Sequence, residues 1–223
     1  MSQSEPRDAR PRTTPRFGGI VGAVALVILV LITINTFVTK PNGVKGLGPG
    51  EQLPPFAVPL ALGGLNGDAD TARHADEGSA GRVPACQERG ARILNVCQLY
   101  EGAPVMLALF VDGGSCPDVL GDMQALAPSF PGVRFAAVAI KGDRAKVRKL
   151  IRSRGLTLPV GLDSDGALAA LYKVATCPQL TFAYPGGAAQ GNAILTRPSR
   201  AALRARLDQL VAGARARGWK APR

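Results

Sequence analysis

The amino-acid sequence predicts an α/β sandwich with a mixed central sheet, preceded by one membrane-spanning helix. Three observations predict it. Continuous apolar runs, such as V-M-L-A-L-F-V over 105–111, read as strands buried on both faces. These runs alternate with helical patterns, and the alternation closes in a hairpin and a last helix. Finally, residues 17–39 form an uncharged stretch of 23 residues, where a helix needs roughly 20 to cross the hydrocarbon.

From the N-terminus, residues 1–16 are rich in Pro, Arg and Ser and read as a disordered cytoplasmic tail. Arg16 and Lys40 bracket the apolar run. A cleaved export signal has a shorter apolar core of about 7–15 residues and ends in small residues. The exit here, Thr36-Phe37-Val38-Thr39-Lys40, lacks that pattern, so an uncleaved anchor is expected. Arg7, Arg10, Arg12 and Arg16 precede the span, whereas only Lys40 and Lys45 follow it closely. The positive-inside rule then keeps the tail cytoplasmic and places the C-terminal domain outside the cell membrane, single-pass.

Residues 40–52 read as a linker, because 41–50 hold four glycines and two prolines. The domain is expected over 53–218, with a Gly-, Asp- and Ala-rich insertion over about 62–100 and a tail at 219–223. Within it, 56–60 reads as an edge strand on account of Pro59. Residues 105–111 and 133–140 are buried strands. Helices are expected over 116–126, 143–154 (ended by Gly155) and 166–172. Strand 180–184 turns at Pro185-Gly186-Gly187 toward a last strand near 192–196, and Ser199 caps the final helix, which runs to about Gly213 or beyond.

The formal charge of +11 comes from 27 basic and 16 acidic residues. Beyond the N-terminal tail, the basic residues concentrate in 141–154 and 197–223. Both segments also carry apolar positions (Leu150, Ile151, Leu203, Leu207, Leu210), as the solvated faces of amphipathic helices do. Aromatic residues make up 5% of the chain, too few for the base-stacking platforms of a nucleic-acid surface, so no nucleic acid is expected as a partner. Weak attraction to anionic lipid is the secondary reading of the basic faces.

Four cysteines, Cys86, Cys97, Cys116 and Cys177, follow the span, on the side expected to be oxidising, and allow three connectivities. There is no C-x-x-C pair, and His74 is the only histidine, so neither a metal site nor a cofactor is expected. A Cys-His catalytic arrangement would rest on His74 alone, which reads as a loop residue. The informative segment is Phe110-Val111-Asp112-Gly113-Gly114-Ser115-Cys116-Pro117-Asp118-Val119. A buried strand leaves through two glycines into Ser115, a candidate N-cap, and Asp118 three residues on completes a capping-box-like pattern. Cys116 then lies in the first turn of a helix. Free N–H groups and the helix dipole there favour a thiolate and lower the thiol pKa below its free value of about 8.5. Asp118 opposes that shift if its carboxylate faces the sulfur.

The order of elements over 105–213 resembles the thioredoxin superfamily, in particular its membrane-anchored TlpA/ResA-like and AhpC/TSA-type branches. Cys116-Pro117-Asp118-Val119 stands where that family carries C-x-x-C. The segment Tyr172-Lys173-Val174-Ala175-Thr176-Cys177-Pro178-Gln179-Leu180-Thr181-Phe182 resembles its Y-x-V-x-x-x-P-x-x-x-F stretch. The resemblance implies a thioredoxin-like three-layer sandwich in which Pro178 is a cis-proline facing the active-site cysteine. The motif is degenerate: Val119 replaces the second cysteine, Ser115 the frequent tryptophan, and Gly113 the peroxiredoxin threonine. The resemblance also implies that Cys177, just before Pro178, lies beside Cys116, so that the two form a redox-active or structural disulfide.

Cys86 and Cys97 are close in sequence. A bridge between them reads as a staple for the insertion, worth roughly 3 kcal/mol in the chain-entropy model. The leading expectation is a membrane-tethered thiol–disulfide oxidoreductase acting on protein thiols or disulfides. In it Cys116 attacks as thiolate, Cys177 or an external thiol resolves, and Ser115, Pro117, Asp118 and Pro178 shape the site. The alternatives are a non-catalytic, disulfide-locked binding module and a single-cysteine peroxidase. Fold alone does not separate these readings.

Overall fold

The structure is a computed structural model that describes residues 17–38, 46–65, 70–71 and 83–222. The expected tail (1–16), residue 39 of the apolar run, residues 40–45 of the linker, and residues 66–69 and 72–82 of the insertion, His74 among them, lie outside the described residues. The chain divides into two units at Gly43 and Val44. In the first, helix α1 takes Phe17–Val38, and its side chains from 21 to 31 are exposed. Those side chains cover eleven positions of α1, and among the described residues no helix is long and apolar enough to cross a membrane.

The second unit is built on two sheets. β1 (Phe56–Pro59) lies between β2 (Asp70–Thr71) and β3 (Ile93–Asn95), antiparallel to both. The larger sheet has the order β6-β5-β4-β7, formed by Val160–Asp163, Arg134–Ile140, Val105–Phe110 and Gln179–Ala183. β4, β5 and β6 run parallel, whereas β7 runs antiparallel to β4, so the sheet is mixed. All six residues of β4 are buried. A strand with neighbours on both edges and cover on both faces has no polar side to keep, hence the unbroken V-M-L-A-L-F.

The two faces of β4 feed two core layers. Met106, Ala108 and Phe110 pack with α3 (Val119–Leu126), α4 (Arg144–Ser153) and α6 (Arg200–Ala216) through residues such as Leu120, Met123, Val147 and Leu207. Val105, Leu107 and Leu109 pack with β1, β3 and α5 (Ala167–Leu171) through Phe56, Val58, Leu94 and Leu168. The sheet is thus the middle of three layers. Helix starts follow the side chains that can cap them: Asp143 accepts from the Lys146 N–H at 2.9 Å, and Ser199 from the Ala202 N–H at 3.2 Å.

Several sequence expectations need correction. β1 is central in its sheet, not an edge. Pro59 is its last residue, where a missing N–H interrupts no interior ladder bond. The insertion is not at odds with its expectation: it holds β3 and α2 (Val96–Tyr100), where Asn95 organises the chain. Its side chain accepts from the N–H groups of Cys97 (2.8 Å) and Gln98 (3.2 Å) and donates to the carbonyls of Ala85 and Glu88 (2.7 Å each). The strand expected near 192–196 reduces to isolated pairings, Leu180 with Ile194 and Ala183 with Ala189, since Gly191 and Asn192 break the extended run between them. The described part of the linker is packed: Leu47 is buried, and Gly46 N–H donates to the Lys173 carbonyl at 3.2 Å.

Candidate functional site

The site forms where β4 ends. After Phe110 the chain turns through Gly114, whose φ of +59° suits a residue without a Cβ. It then enters a 3₁₀ turn, Cys116–Asp118, that leads directly into α3. Ser115 does not cap this start. Its backbone is helical (φ −86°, ψ 0°) rather than extended, and its hydroxyl makes no capping hydrogen bond. The capping-box reading of Ser115 and Asp118 is therefore corrected.

Asp118 is held elsewhere. Arg154 reaches its carboxylate at 2.7 Å and also donates to the Pro117 carbonyl at 2.9 Å, while Arg197 reaches Asp118 at 3.3 Å. Arg197 also pairs with Asp122 (3.1 Å), which Arg200 approaches at 2.9 Å. Asp118 is thus tied to arginines next to the Cys116 turn. Asp112 accepts from the Asp143 N–H at 3.1 Å, a structural tie for the second nearby carboxylate.

The second half of the site comes from β7. Its antiparallel register pairs Leu109 with Gln179, and two more steps set Val111 opposite Cys177. Cys177 and Cys116 form a disulfide with Cα atoms 5.5 Å apart, inside the usual 4.4–6.8 Å. The Val111 N–H points at both sulfurs, 3.1 Å from Cys177 Sγ and 3.4 Å from Cys116 Sγ. The Cys177–Pro178 peptide is cis, and Pro178 is buried. The Thr176 hydroxyl donates to the Leu195 carbonyl and so ties this loop to the segment beyond β7. Cys116 is 7% exposed and belongs to the core layer of α3, whereas Cys177 is exposed.

Cys86 and Cys97 form the other disulfide, with Cα atoms 5.3 Å apart. They pack with the opposite core layer, across the sheet from Cys116. Among the described residues, no group of three or more His, Cys, Asp or Glu side chains gathers to hold a metal ion. What the arrangement offers chemically is a disulfide at a helix start under a backbone N–H, a group capable of thiol–disulfide exchange.

No protein-family model and no curated protein matches the chain. Solved structures do. A conserved uncharacterized protein from Geobacillus kaustophilus aligns with a TM-score of 0.56 at 17% identity, covering 74% of this chain and 82% of its own. A secreted thiol-disulfide isomerase from Corynebacterium glutamicum gives 0.54 at 14% identity, over 77% and 95% of the two chains. A protein from Chlorobium tepidum assigned as the thiol:disulfide interchange protein DsbE gives 0.53 at 19%, over 75% and 98%. The fold is thioredoxin-like.

Within the thioredoxin-like sheet, Cys116, Pro117, Cys177 and Pro178 come together at one end of β4 and β7. Ser115 and Asp118 flank them. The arginines that hold Asp118 and Asp122 were not visible as site residues in the sequence. Arg154, Arg197 and Arg200 sit in basic runs that read as solvated faces, and Arg154 and Arg197 are 36 and 79 positions from Asp118. The only local signal was the placement of Arg154 at the end of α4 and of Arg197 just before the Ser199 cap.

Proposed function

We propose that this chain is a thiol–disulfide oxidoreductase whose working group is the Cys116–Cys177 pair, acting on thiols or disulfides of protein substrates. The observation that carries this reading is the disulfide itself: one sulfur starts a helix, the other precedes Pro178, and one N–H faces both. In oxidation of a substrate dithiol, a substrate thiolate attacks one of the two sulfurs and the other leaves as thiolate. The second substrate thiol then displaces the protein sulfur from the mixed disulfide. The substrate loses two electrons and two protons, and both cysteines end as thiols. The reverse sequence reduces a substrate disulfide.

The membrane tether belongs to the same proposal. Its support is the uncharged run of residues 17–39, the helical backbone over Phe17–Val38 and the exposed apolar side chains of 21–31. With the arginine-rich tail cytoplasmic, the thioredoxin-like domain stands outside the cell membrane.

The test is turnover of a model protein disulfide by the full-length protein in membranes. Cys116→Ser and Cys177→Ser each lower the rate by more than about a hundredfold. An unchanged rate in either variant overturns the assignment of the pair. After reduction, a membrane-impermeant thiol reagent labels Cys116 or Cys177 in intact cells, and labelling only after lysis overturns the orientation.

The burial of Cys116 favours one second reading, a non-catalytic module locked by its disulfides. A Cys116–Cys177 potential below about −300 mV, together with absent turnover, selects it.

A further inference from the structure

The two sulfurs of the exchange site are not equivalent, and the difference has a direction. Cys116 is 7% exposed and packed in a layer with Val119, Leu120 and Met123, while Cys177 is exposed and outside both core layers. Arg154 crosses the base of the Cys116 turn, bonded to the Pro117 carbonyl and to Asp118. On the Cys177 side, by contrast, Ala175, Thr176 and Cys177 itself are exposed; Gly113, Gly114 and Ser115 are exposed too, but the cysteine they lead into is buried. A substrate sulfur must approach along the S–S axis from the side of the atom it attacks. The open side is that of Cys177.

The leaving sulfur has its own requirement. Exchange is faster when the departing thiol has a low pKa. Cys116 opens the continuous helical segment of 116–126, where the dipole favours a thiolate. The Val111 N–H reaches both sulfurs (3.4 Å from Cys116, 3.1 Å from Cys177), so the helix start is what sets Cys116 apart. Cys177 sits in a loop before an antiparallel strand and has no helix start.

We propose that Cys177 is the entry cysteine, the sulfur that substrate thiolates attack and that carries the mixed disulfide, and that Cys116 is the buried leaving and resolving thiol. This reverses the order expected from the sequence, where Cys116 attacks first, and it rests on the exchange reading of the pair. Written out for the oxidised protein, a substrate thiolate bonds to Cys177 Sγ, the Cys116–Cys177 bond breaks, and its electron pair leaves on Cys116 Sγ. Attack by a second substrate thiol on the substrate sulfur then expels Cys177 as thiolate. The substrate becomes a disulfide, and both protein sulfurs take up protons from solvent. In the reducing direction, Cys177 thiolate attacks a substrate disulfide and Cys116 resolves it.

The experiment uses the oxidised full-length wild-type protein, so it does not depend on any variant folding. The protein is mixed briefly with reduced glutathione, quenched in acid, alkylated and peptide-mapped. The expected result is glutathione on the Cys177 peptide and alkylation of Cys116, with a preference of at least about tenfold set by access. A second measurement follows reduced Cys116→Ser and Cys177→Ser with glutathione disulfide above pH 9, past the ordinary thiol pKa of about 8.5. The variant retaining Cys177 reacts faster, again by about tenfold. Glutathione found mainly on Cys116, or equal rates in the two variants, overturns the order of attack and leaves exchange by the pair standing. A bond that stays intact under excess glutathione and under a strong dithiol overturns the exchange reading and this inference together.

Discussion

Asp163 closes β6 fully buried, with its carboxylate accepting from the N–H groups of Gly166 (3.0 Å) and Leu168 (3.0 Å) at the start of α5. Burial, reinforced by the neighbouring Asp165, pushes its pKa up from 3.8 to about 7, against the pull of those two N–H groups. The folded state therefore holds a proton that the unfolded chain has released. Its stabilising contribution is complete below about pH 4 and is lost as the pH rises toward 7 and above. Chemical denaturation across pH 4 to 8 should show stability declining through this window, with the decline flattened in Asp163→Asn. A wild type that gains stability over the same range would refute the assignment. The residue also marks what the sequence withholds. Asp163 in G-L-D-S-D-G reads as turn chemistry, and only the packing of α5 against the sheet reveals its burial. Cys116 and Cys177 were legible, because a thiol after an apolar run and two glycines, and another beside the proline of a Y-x-V-x-x-x-P stretch, are local patterns. Arg154 and Arg197 were not, because a basic residue on a polar helix looks the same whether or not a distant carboxylate meets it.

Among the elements, the long apolar strands and the capped helices were the legible part, since each is specified by its own residues: V-M-L-A-L-F for β4, Asp143 for α4, Ser199 for α6. The smaller sheet was not, because β3 has only three residues and its position depends on Asn95 and on partners in β1. Leu94, Val96 and Cys97 are buried in this segment, and the Cys86–Cys97 bond, of sequence separation 11, restrains it. Replacing both cysteines by alanine should cost about 3 kcal/mol by the loop-closure account. Exchange at Cys116–Cys177 should persist, because the two bonds belong to opposite core layers. Urea unfolding of the double variant, with turnover measured on the same sample, checks both statements. A loss of turnover in folded protein would show that the staple and the site communicate.

For the whole molecule, the Cys116–Cys177 bond is the longer tie. It links positions 61 residues apart, the turn into α3 and the loop just before β7. The same loop-closure account assigns a tie of that span about 4 kcal/mol, with the unfolded chain as its reference. Reduction of this bond alone, with Cys86–Cys97 intact, should lower the unfolding midpoint in a denaturant titration, and an unchanged midpoint would contradict it. The larger sheet carries a further consequence at this scale. On one side, Leu60 bridges to Gly161, and the Ala61 N–H donates to the Val160 carbonyl. On the other, Ile194 and Ala189 bridge to Leu180 and Ala183. Among the described residues, the chain's own backbone therefore lies against both flanks of the four strands at these positions, as natural sheets arrange to avoid pairing with strangers. A visiting polypeptide that tried to zip along β6 or β7 would have to displace these bridges first.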